Sequence, residues 1–278
     1  MRKIAQNVLN SKRSLWGIVI LAGVLGIIYA IICFWVKYDI YNNTQMPSIV
    51  KIISRFFSQF ADLSVLKALV VTLRTLGISL FFAIILGLLL GFSFGGKTKW
   101  VYTQPTVDFL RSIPITFLIP ILAIVLGSSN TINIYLLTIY PTMLMIMFGV
   151  RTGKQKQDLE RLHFFKVISS KQMQPKRYYI EKIKLTLFET IPDIFSGFRI
   201  ALSYGLVIVT VLEYMHIGVS EKSIGIGTLL DKENTNHDIT NVFALVLLIG
   251  IVGFFLNWVT EQIQHKWIHW SNENLKNE

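Results

Sequence analysis

The stretch "FETIPDIFSGFRIALSYGLVIVTVLEYM", residues 188–215, begins among polar residues, passes a proline and a glycine, and then continues almost entirely apolar. Its second part, Phe195–Met215, is long enough to cross the roughly 30 Å hydrocarbon core of a bilayer, which takes about 20 helical residues. The whole chain shares this bias: 53% of its 278 residues are hydrophobic, 15% are charged, and the mean hydropathy is +0.54. We therefore predict an all-α, polytopic membrane protein.

Six stretches of the chain have the length and composition of membrane spans. Their predicted limits are Ser14–Val36, Thr75–Phe94, Val107–Gly127, Ile132–Val150, Phe195–Met215 and Thr240–Val259. The first is too long for the apolar core of a signal peptide, and no small-residue cleavage site follows it. We therefore expect it to remain in the protein as a span.

Lysine and arginine residues are distributed unevenly between the two sides of these spans. With the N-terminus inside, 20 of the 27 basic residues fall on the inner side, ten of them between Arg151 and Lys184. Because such residues favour the cytoplasmic side, we expect both termini of this multi-pass membrane protein to lie in the cytoplasm. Topology and anionic lipid then account for the net charge of +11, so no nucleic acid is needed to explain it.

Several candidate chemical sites are rejected at this stage. Cys33 is the single cysteine, which excludes an intramolecular disulfide and a cysteine-based metal site. His265 and His269 stand one helical turn apart, but we assign them no metal. The string "GFSFGGKTKW" matches a phosphate-binding loop in spacing, yet it follows a membrane helix and not a strand. We therefore expect neither an enzyme nor a bound cofactor.

Residues 38–73 form the longest external segment. Their apolar residues recur at helical spacing after Pro47, which predicts a short helix lying in the outer interface plane. The residues of this stripe are Ile49, Ile52, Phe56 and Phe60. Its simplest role is packing, and a docking surface for an external partner is the alternative.

Residues 151–194 form a basic cytoplasmic loop with a helical pattern of its own. Its apolar stripe follows i, i+3, i+7 and i+11 spacing, in Ile180, Ile183, Leu187 and Ile191. We expect Pro175 and Pro192 to bracket this helix, because the residue before a proline avoids the α region. An earlier helix is expected near Leu159–Ile168. A folded hairpin of this kind would give a soluble partner a rigid handle, while a basic element lying on the membrane is the alternative.

The segment "TLFETIPDIFSGFRIALSYGLVIVTVLEYMHI" resembles the part of type I ABC importer permeases, in particular the nitrate/sulfonate/taurine group, where a coupling loop enters the fifth membrane helix. The positions that fit its pattern are Pro192, Gly197, Arg199, Ala201, Leu202 and, at the acidic end of that helix, Glu213. Other stretches resemble the group in the same order: "MPSIVKIISRFFSQF", "LRSIPITFLIPILAIVLG", "FGVRTG", "IGIGTLL" and "LIGIVGFFLNWVTEQIQHKWIHW". The resemblance covers about residues 46–270.

The coupling motif departs from the family pattern. Where the family has Glu-Ala-Ala and then a glycine, this chain has Ser169, Ser170 and Lys171, followed by Pro175. Proline fixes φ and cannot adopt the left-handed geometry that glycine allows. We therefore expect altered coupling through this chain, so a heterodimer with a second, more regular permease stands beside the homodimer as a possibility.

The resemblance implies an ATP-driven, binding-protein-dependent importer of a small, often anionic solute. An ATPase dimer with ATP and Mg, a second permease subunit and an external binding protein are the implied partners. The implied parts are an arm with the first span (1–37), the external segment (38–73), a core (74–263) containing the coupling loop (151–194), and a tail (264–278). The residues implied in ATPase coupling are Ser169, Ser170, Lys171, Pro175, Ile180, Ile183, Leu187 and Pro192.

Polar groups inside the spans are the candidates for lining the translocation path, because burying them in lipid without a partner is costly. They are Ser203, Tyr204, Thr210 and Glu213, followed by Thr116, Tyr140 and Thr142. Each of these groups could instead form a hydrogen bond between helices. Gly87, Gly91 and Gly95 are expected to let helix backbones approach closely.

Two other classes of protein remain as alternatives. A secondary transporter working without an ATPase should show inverted repeats and midplane charges, which the sequence lacks. A membrane-embedded enzyme should show clustered His, Asp or Glu at membrane depth, whereas the spans contain only Asp108 and Glu213.

Overall fold

The computed structural model describes residues 23–24, 26–27, 29–30, 47, 49–127, 130–156, 175–219 and 224–268. Within these ranges every regular element is helical. The helices are α1 (Ile49–Gln59), α2 (Leu63–Phe94), α3 (Lys97–Ser112), α4 (Ile115–Leu126), α5 (Ile132–Lys156), α6 (Pro175–Tyr214), α7 (Ile226–Thr235) and α8 (Ile239–Trp267). Residues 1–51 and 52–278 form two compact units, and the contacts described below lie within the second.

Four of these helices are long and apolar enough to cross a membrane: α2, α5, α6 from Ile183 onward, and α8. The bent pair α3 and α4 gives a fifth span if the two are counted together. These helices confirm the prediction of an all-α, multi-pass membrane protein. The first predicted span, Ser14–Val36, lies mostly outside the described residues.

Helix α2 begins at Leu63, well before the predicted start of its span near Thr75. Asp62 caps it, since its Oδ1 accepts a hydrogen bond from the backbone N–H of Ser64 at 2.8 Å. Lys67 and Arg74 interrupt the apolar run but not the helix, because straight-chain basic residues are good helix formers.

The predicted span Val107–Gly127 is not a single helix. Helix α3 ends at Ser112, Ile113 and Pro114 are extended, and the segments on either side are bent by 87°. Pro114 is the physical cause, because its ring disfavours the α region for the residue before it.

The expectation that Pro192 ends the cytoplasmic helix is wrong. Helix α6 runs without a break from Pro175 to Tyr214 and carries Pro192 in its interior. Such a proline costs about 3 kcal/mol, and tight packing against α5 on both sides of it offsets that cost. Pro175 is the first described residue of this helix, so its predicted start there stays a prediction, and Leu159–Ile168 lies outside the described residues.

Glycines set the closeness of this packing. A Cβ on Gly149 of α5 would lie 2.6 Å from the carbonyl oxygen of Asp193, and one on Gly153 would lie 2.8 Å from the Cα of Thr190. Gly197 of α6 faces Gly149 in the same way. The two backbones therefore touch directly over this region.

Two of the three glycines predicted to bring α2 close to another helix, Gly87 and Gly91, pack against α5, whereas Gly95 is the C-cap of α2. A Cβ on Gly87 would meet Ile146 at 2.9 Å, and one on Gly91 would meet Val150 at 2.7 Å. Ile146 and Val150 of α5 are fully buried. The main apolar core therefore lies between α2, α5 and α6, with Leu76 and Val209 among its members.

Candidate functional site

The carboxylate of Glu213 joins three helices near the C-terminal end of α6. Its Oε2 accepts hydrogen bonds from the hydroxyl of Thr72 on α2 at 2.7 Å and from the backbone N–H of Gly227 on α7 at 3.1 Å. The Thr72 hydroxyl in turn accepts a bond from the backbone N–H of Ile226 at 2.9 Å. Glu213 is only 2% exposed. We call Glu213, Thr72, Ile226 and Gly227 the carboxylate clamp.

The stretch "IGIG" before α7 is what lets this clamp form. A Cβ on Gly225 would collide with the carboxylate of Glu213, and a Cβ on Gly227 would lie 2.7 Å from the Cβ of Glu213. Only glycine allows the backbone to come this close. In the sequence this stretch stands out only as one of several segments that resemble importer permeases, and its contact with Glu213 was not predicted. Gly225 and Gly227 follow Glu213 by 12 and 14 residues, so no local pattern in the sequence signalled this contact.

Glu213 was predicted to line the translocation path. The structure instead satisfies it with donors of the chain itself. Fully hydrogen-bonded buried carboxylates specify one arrangement of the elements around them. This geometry favours a structural role, and a role in the path stays a prediction.

Of the other candidates on α6, Ser203 and Thr210 form hydrogen bonds within the protein, and Tyr204 is exposed. Ser203 Oγ accepts a hydrogen bond from the amide of Asn257 on α8 at 2.5 Å. Thr210 donates to the carbonyl oxygen of Leu206 at 2.8 Å. Tyr204 is 44% exposed on the described chain and is therefore the candidate with the most free surface.

The candidates on the earlier spans form hydrogen bonds within the protein. The hydroxyl of Tyr140 donates to the carbonyl oxygen of Leu110 at 2.5 Å, which links α5 to α3. Thr142 is fully buried and donates to the carbonyl oxygen of Thr138 at 2.6 Å. The side chain of Thr116 lies outside the described part. The Tyr140 bond is thus the hydrogen bond between helices that was the alternative to a role in the path, whereas the Thr142 bond lies within α5.

Arg199 has a partner that the sequence analysis did not find. Its Nη2 lies 3.2 Å from Glu261 Oε2 on α8, and Glu261 Oε1 lies 3.6 Å from His265 Nε2. The sequence separation between Arg199 and Glu261 hid this pair. Its effect is to hold α6 and α8 together beyond the apolar part of their contact.

This ion pair yields a prediction. We expect Arg199→Glu to lower the free energy of unfolding by about 1 kcal/mol, because the pair is partly exposed and is replaced by two like charges. Adding Glu261→Arg should restore most of the loss. Denaturant titration of the purified protein in detergent measures both variants, and a double variant no more stable than Arg199→Glu would contradict the pairing.

The predicted coupling residues fall on the N-terminal part of α6 where they are described. Ile180, Ile183 and Leu187 expose 54%, 64% and 41% of their surface. They share one face of the helix, as their spacing predicted, and we call them the coupling stripe. Ser169, Ser170 and Lys171 lie outside the described residues, and of Pro175 only the backbone is described.

The string that matches a phosphate-binding loop connects two helices. Gly95 caps the end of α2 and Gly96 precedes α3. This context lacks the strand that a phosphate loop follows. Among the described residues no group of three or more His, Cys, Asp or Glu is arranged to hold a metal ion.

No family model matches the chain. The chain is 22% identical over 193 residues to SsuC of Bacillus subtilis (strain 168), a permease protein named for the transport of aliphatic sulfonates. The match covers 68% of this chain and 63% of that protein, so the chain spans somewhat less than two thirds of the relative's length.

Solved structures share the fold. Two crystal forms of the MetNI methionine ABC transporter in inward-facing conformations match with TM-scores of 0.59 and 0.56, at 15% and 16% sequence identity. These matches cover 72% and 69% of this chain and 94% and 91% of the compared chains. The resemblance found in the sequence is thus confirmed, and the chain has the fold of the membrane subunit of a type I ABC importer.

Proposed function

We propose that this chain is the transmembrane permease subunit of an ATP-driven, binding-protein-dependent importer and forms part of the path of a small solute. The similarity to SsuC and the importer fold support this proposal. The ATP hydrolysis is assigned to a separate subunit, which holds ATP and Mg, and this chain binds no cofactor of its own.

The unbroken length of α6 is the observation that carries the proposal. Its 40 residues extend about 60 Å at 1.5 Å per residue, whereas crossing the hydrocarbon core takes about 20 residues. The N-terminal part therefore projects beyond the membrane and bears the coupling stripe. The same helix carries Ser203, Tyr204 and Thr210 within the span. A displacement of the stripe is thus passed along one rigid element to the candidate path residues.

Helix α6 thus acts as a lever between the coupling stripe and the candidate path residues, and helix α5 makes this lever stiffer. Gly149 and Gly153 bring its backbone against α6, and Lys156 Nζ lies 2.6 Å from Asp193 Oδ1. Packed helices with backbone contact move as one body, since no side-chain layer separates them to absorb a shift. Force applied to the projecting part of α6 therefore moves α5 as well.

The assembly follows from this role. We place two cytoplasmic ATPase subunits against the coupling stripe, a second permease subunit beside this chain, and a solute-binding protein on the opposite side of the bacterial inner membrane. Both termini lie in the cytoplasm. The solute is small, and an aliphatic sulfonate is the first one to test because the relative SsuC is named for it. Because the coupling motif is altered, the second permease subunit is either another copy of this chain or a different permease with a more regular motif.

The coupling stripe gives the test of this function. We expect the double change Ile183→Asp and Leu187→Asp to reduce co-purification of the ATPase and to lower ATP-dependent uptake by about tenfold or more, because two charges replace apolar contact surface. Uptake into proteoliposomes and pull-down of the tagged chain measure the two effects.

A matched control uses charges on the same part of α6. Lys184 Nζ lies 3.1 Å from Glu181 Oε1, and changing both residues to glutamine leaves the apolar stripe intact. This control variant should still co-purify with the ATPase and should retain the ATP-dependent uptake of the original chain. Uptake by the reconstituted chain alone, without ATP, would refute the proposal and favour a secondary transporter.

A further inference from the structure

Helix α3 combines an exposed apolar face with a basic flank. Val101, Tyr102 and Phe109 expose 68%, 80% and 67% of their surface, and their spacing places them within about 100° of one another around the helix. Arg111 lies on the flank between this face and the side that packs on α5, where Val107 is buried. A helix divided in this way suits the boundary between lipid chains and head groups.

The position of Arg111 along α5 places its side chain at this boundary. Its guanidinium carbon lies 5.1 Å from the centroid of the Phe148 ring. The buried apolar run of α5 ends shortly afterwards at Val150, and the half-buried Arg151 begins the polar end of the helix. Because an arginine side chain extends its charged group toward the polar layer, a guanidinium at this depth reaches the lipid phosphates.

Other charged side chains surround Arg111 at this end of α5. Arg151 is the nearest cation along α5, and the charge of Asp108 acts on it from α3. Lys154 adds a positive charge one turn further on and is held by a hydrogen bond from its Nζ to the carbonyl oxygen of Phe92 at 2.7 Å. Arg111 itself forms no ion pair within the described residues. This group of side chains therefore attracts an anion, and Asp108 competes with that anion.

We propose that Arg111 and Arg151 bind the phosphate of an anionic phospholipid whose acyl chains cover Tyr102 and Phe109. A guanidinium donates two parallel hydrogen bonds to a phosphate, and basic sites between membrane helices recognise anionic head groups in this way. The exposed rings favour a lipid over a free phosphate, because a free phosphate would leave them uncovered.

This lipid site is independent of the proposed function, since it rests only on the contacts of α3 with α5 and on the exposed face of α3. None of its residues belongs to the carboxylate clamp or to the coupling stripe. In the proposed orientation the lipid comes from the cytoplasmic leaflet.

Native mass spectrometry of the full-length chain, purified in detergent and titrated with lipid, tests the site. Phosphatidylglycerol is the anionic probe, phosphatidylcholine with the same acyl chains is the zwitterionic probe, and glycerol 3-phosphate is the probe without acyl chains. The first phosphatidylglycerol should bind about tenfold more tightly than the first phosphatidylcholine, and glycerol 3-phosphate should bind more weakly still. Equal binding of the two lipids overturns the proposal. Glycerol 3-phosphate that binds as tightly as phosphatidylglycerol also overturns it and identifies a site for a free phosphate.

Two substitutions on α3 should act in opposite directions. Arg111→Gln removes the guanidinium and should weaken phosphatidylglycerol binding by about tenfold, with phosphatidylcholine binding unchanged. Asp108→Asn removes the competing carboxylate and should strengthen phosphatidylglycerol binding by about threefold, a gain that a merely structural role of these residues would not produce. The matched control is Lys266→Gln, which removes an exposed cation from α8 and should leave the preference for phosphatidylglycerol unchanged.

Thermal unfolding in detergent checks that the variants are folded. A preference for phosphatidylglycerol that survives in folded Arg111→Gln overturns the proposal, and so does an Asp108→Asn variant that binds this lipid no more tightly than the original chain. If Arg111→Gln does not fold, the result for Asp108→Asn decides.

Discussion

Replacing Glu213 by leucine is expected to lower the free energy of unfolding by about 3 kcal/mol or more. The change removes the acceptor for the Thr72 hydroxyl and for the backbone N–H of Gly227, which bond to it at 2.7 and 3.1 Å. The N–H of Gly227 then stays buried without this acceptor, and the Thr72 hydroxyl keeps only its longer hydrogen bond to the carbonyl oxygen of Ala68 at 3.2 Å. Denaturant titration of the purified protein in detergent micelles measures the loss.

The size of the loss should depend on hydrogen bonding and not on shape. Glu213→Gln keeps one acceptor oxygen and should cost roughly half as much. Thr72→Ser keeps the bridging hydroxyl and should cost less than Thr72→Val, which fills similar space but leaves the N–H of Ile226 without its acceptor and takes from Glu213 the shorter of its two hydrogen bonds. Equal losses for serine and valine at position 72 would contradict the carboxylate clamp.

The clamp also has a functional consequence under the proposed function. Since it joins α2, α6 and α7 at one end of the lever helix, a loosened clamp should lower uptake while the ATPase still binds the coupling stripe. Uptake and ATPase co-purification would therefore separate in Glu213→Leu, whereas they should fall together in the coupling-stripe variant. An unchanged uptake rate in Glu213→Leu would remove this residue both from the translocation path and from the outer end of the lever.

The second large effect is expected at the contact of α5 with α6. Gly149→Ala should lower the free energy of unfolding by about 3 kcal/mol, because overpacking typically costs 1–3 kcal/mol and the obstacle here is backbone. The added Cβ would lie 2.6 Å from the carbonyl oxygen of Asp193 and 3.1 Å from the Cα of Gly197. Neither atom can move aside as a side chain would, so the helices must separate.

Gly77→Ala is the matched control for this substitution. It lies inside α2, and a Cβ there meets nothing within 4 Å. Alanine is favoured over glycine in a helix by up to about 1 kcal/mol, so this variant should be as stable as the original chain or more so. If both variants changed stability by the same amount, helix propensity and not backbone contact would explain the glycine at position 149.

The membrane helices were largely predictable because their signal is local. A run of apolar residues identifies a span wherever its neighbours lie, and α5 begins at Ile132 and α8 at Ile239, where the hydropathy of the sequence placed them within a residue. The external stripe likewise gave α1, in which Ile52 and Phe56 are buried. The resemblance to importer permeases also came from the residues alone.

The effects of two prolines were not predicted correctly from the neighbouring residues. Pro114 breaks the third predicted span, whereas Pro192 stands inside a continuous helix. The local steric preference is the same in both cases. Its outcome is set by packing: the backbone contact of α5 with α6 supports the helix around Pro192, and this support cannot be read from the residues next to it.

The sequence by itself determined the class of the protein, because hydrophobicity, charge distribution and helical spacing are properties of neighbouring residues. The tertiary structure alone decided which polar groups meet: Glu213 with Thr72, separated by 141 residues, and Arg199 with Glu261, separated by 62. The reason is physical, since a hydrogen bond requires its two atoms to lie within about 3 Å, and only the packing of distant helices sets such distances.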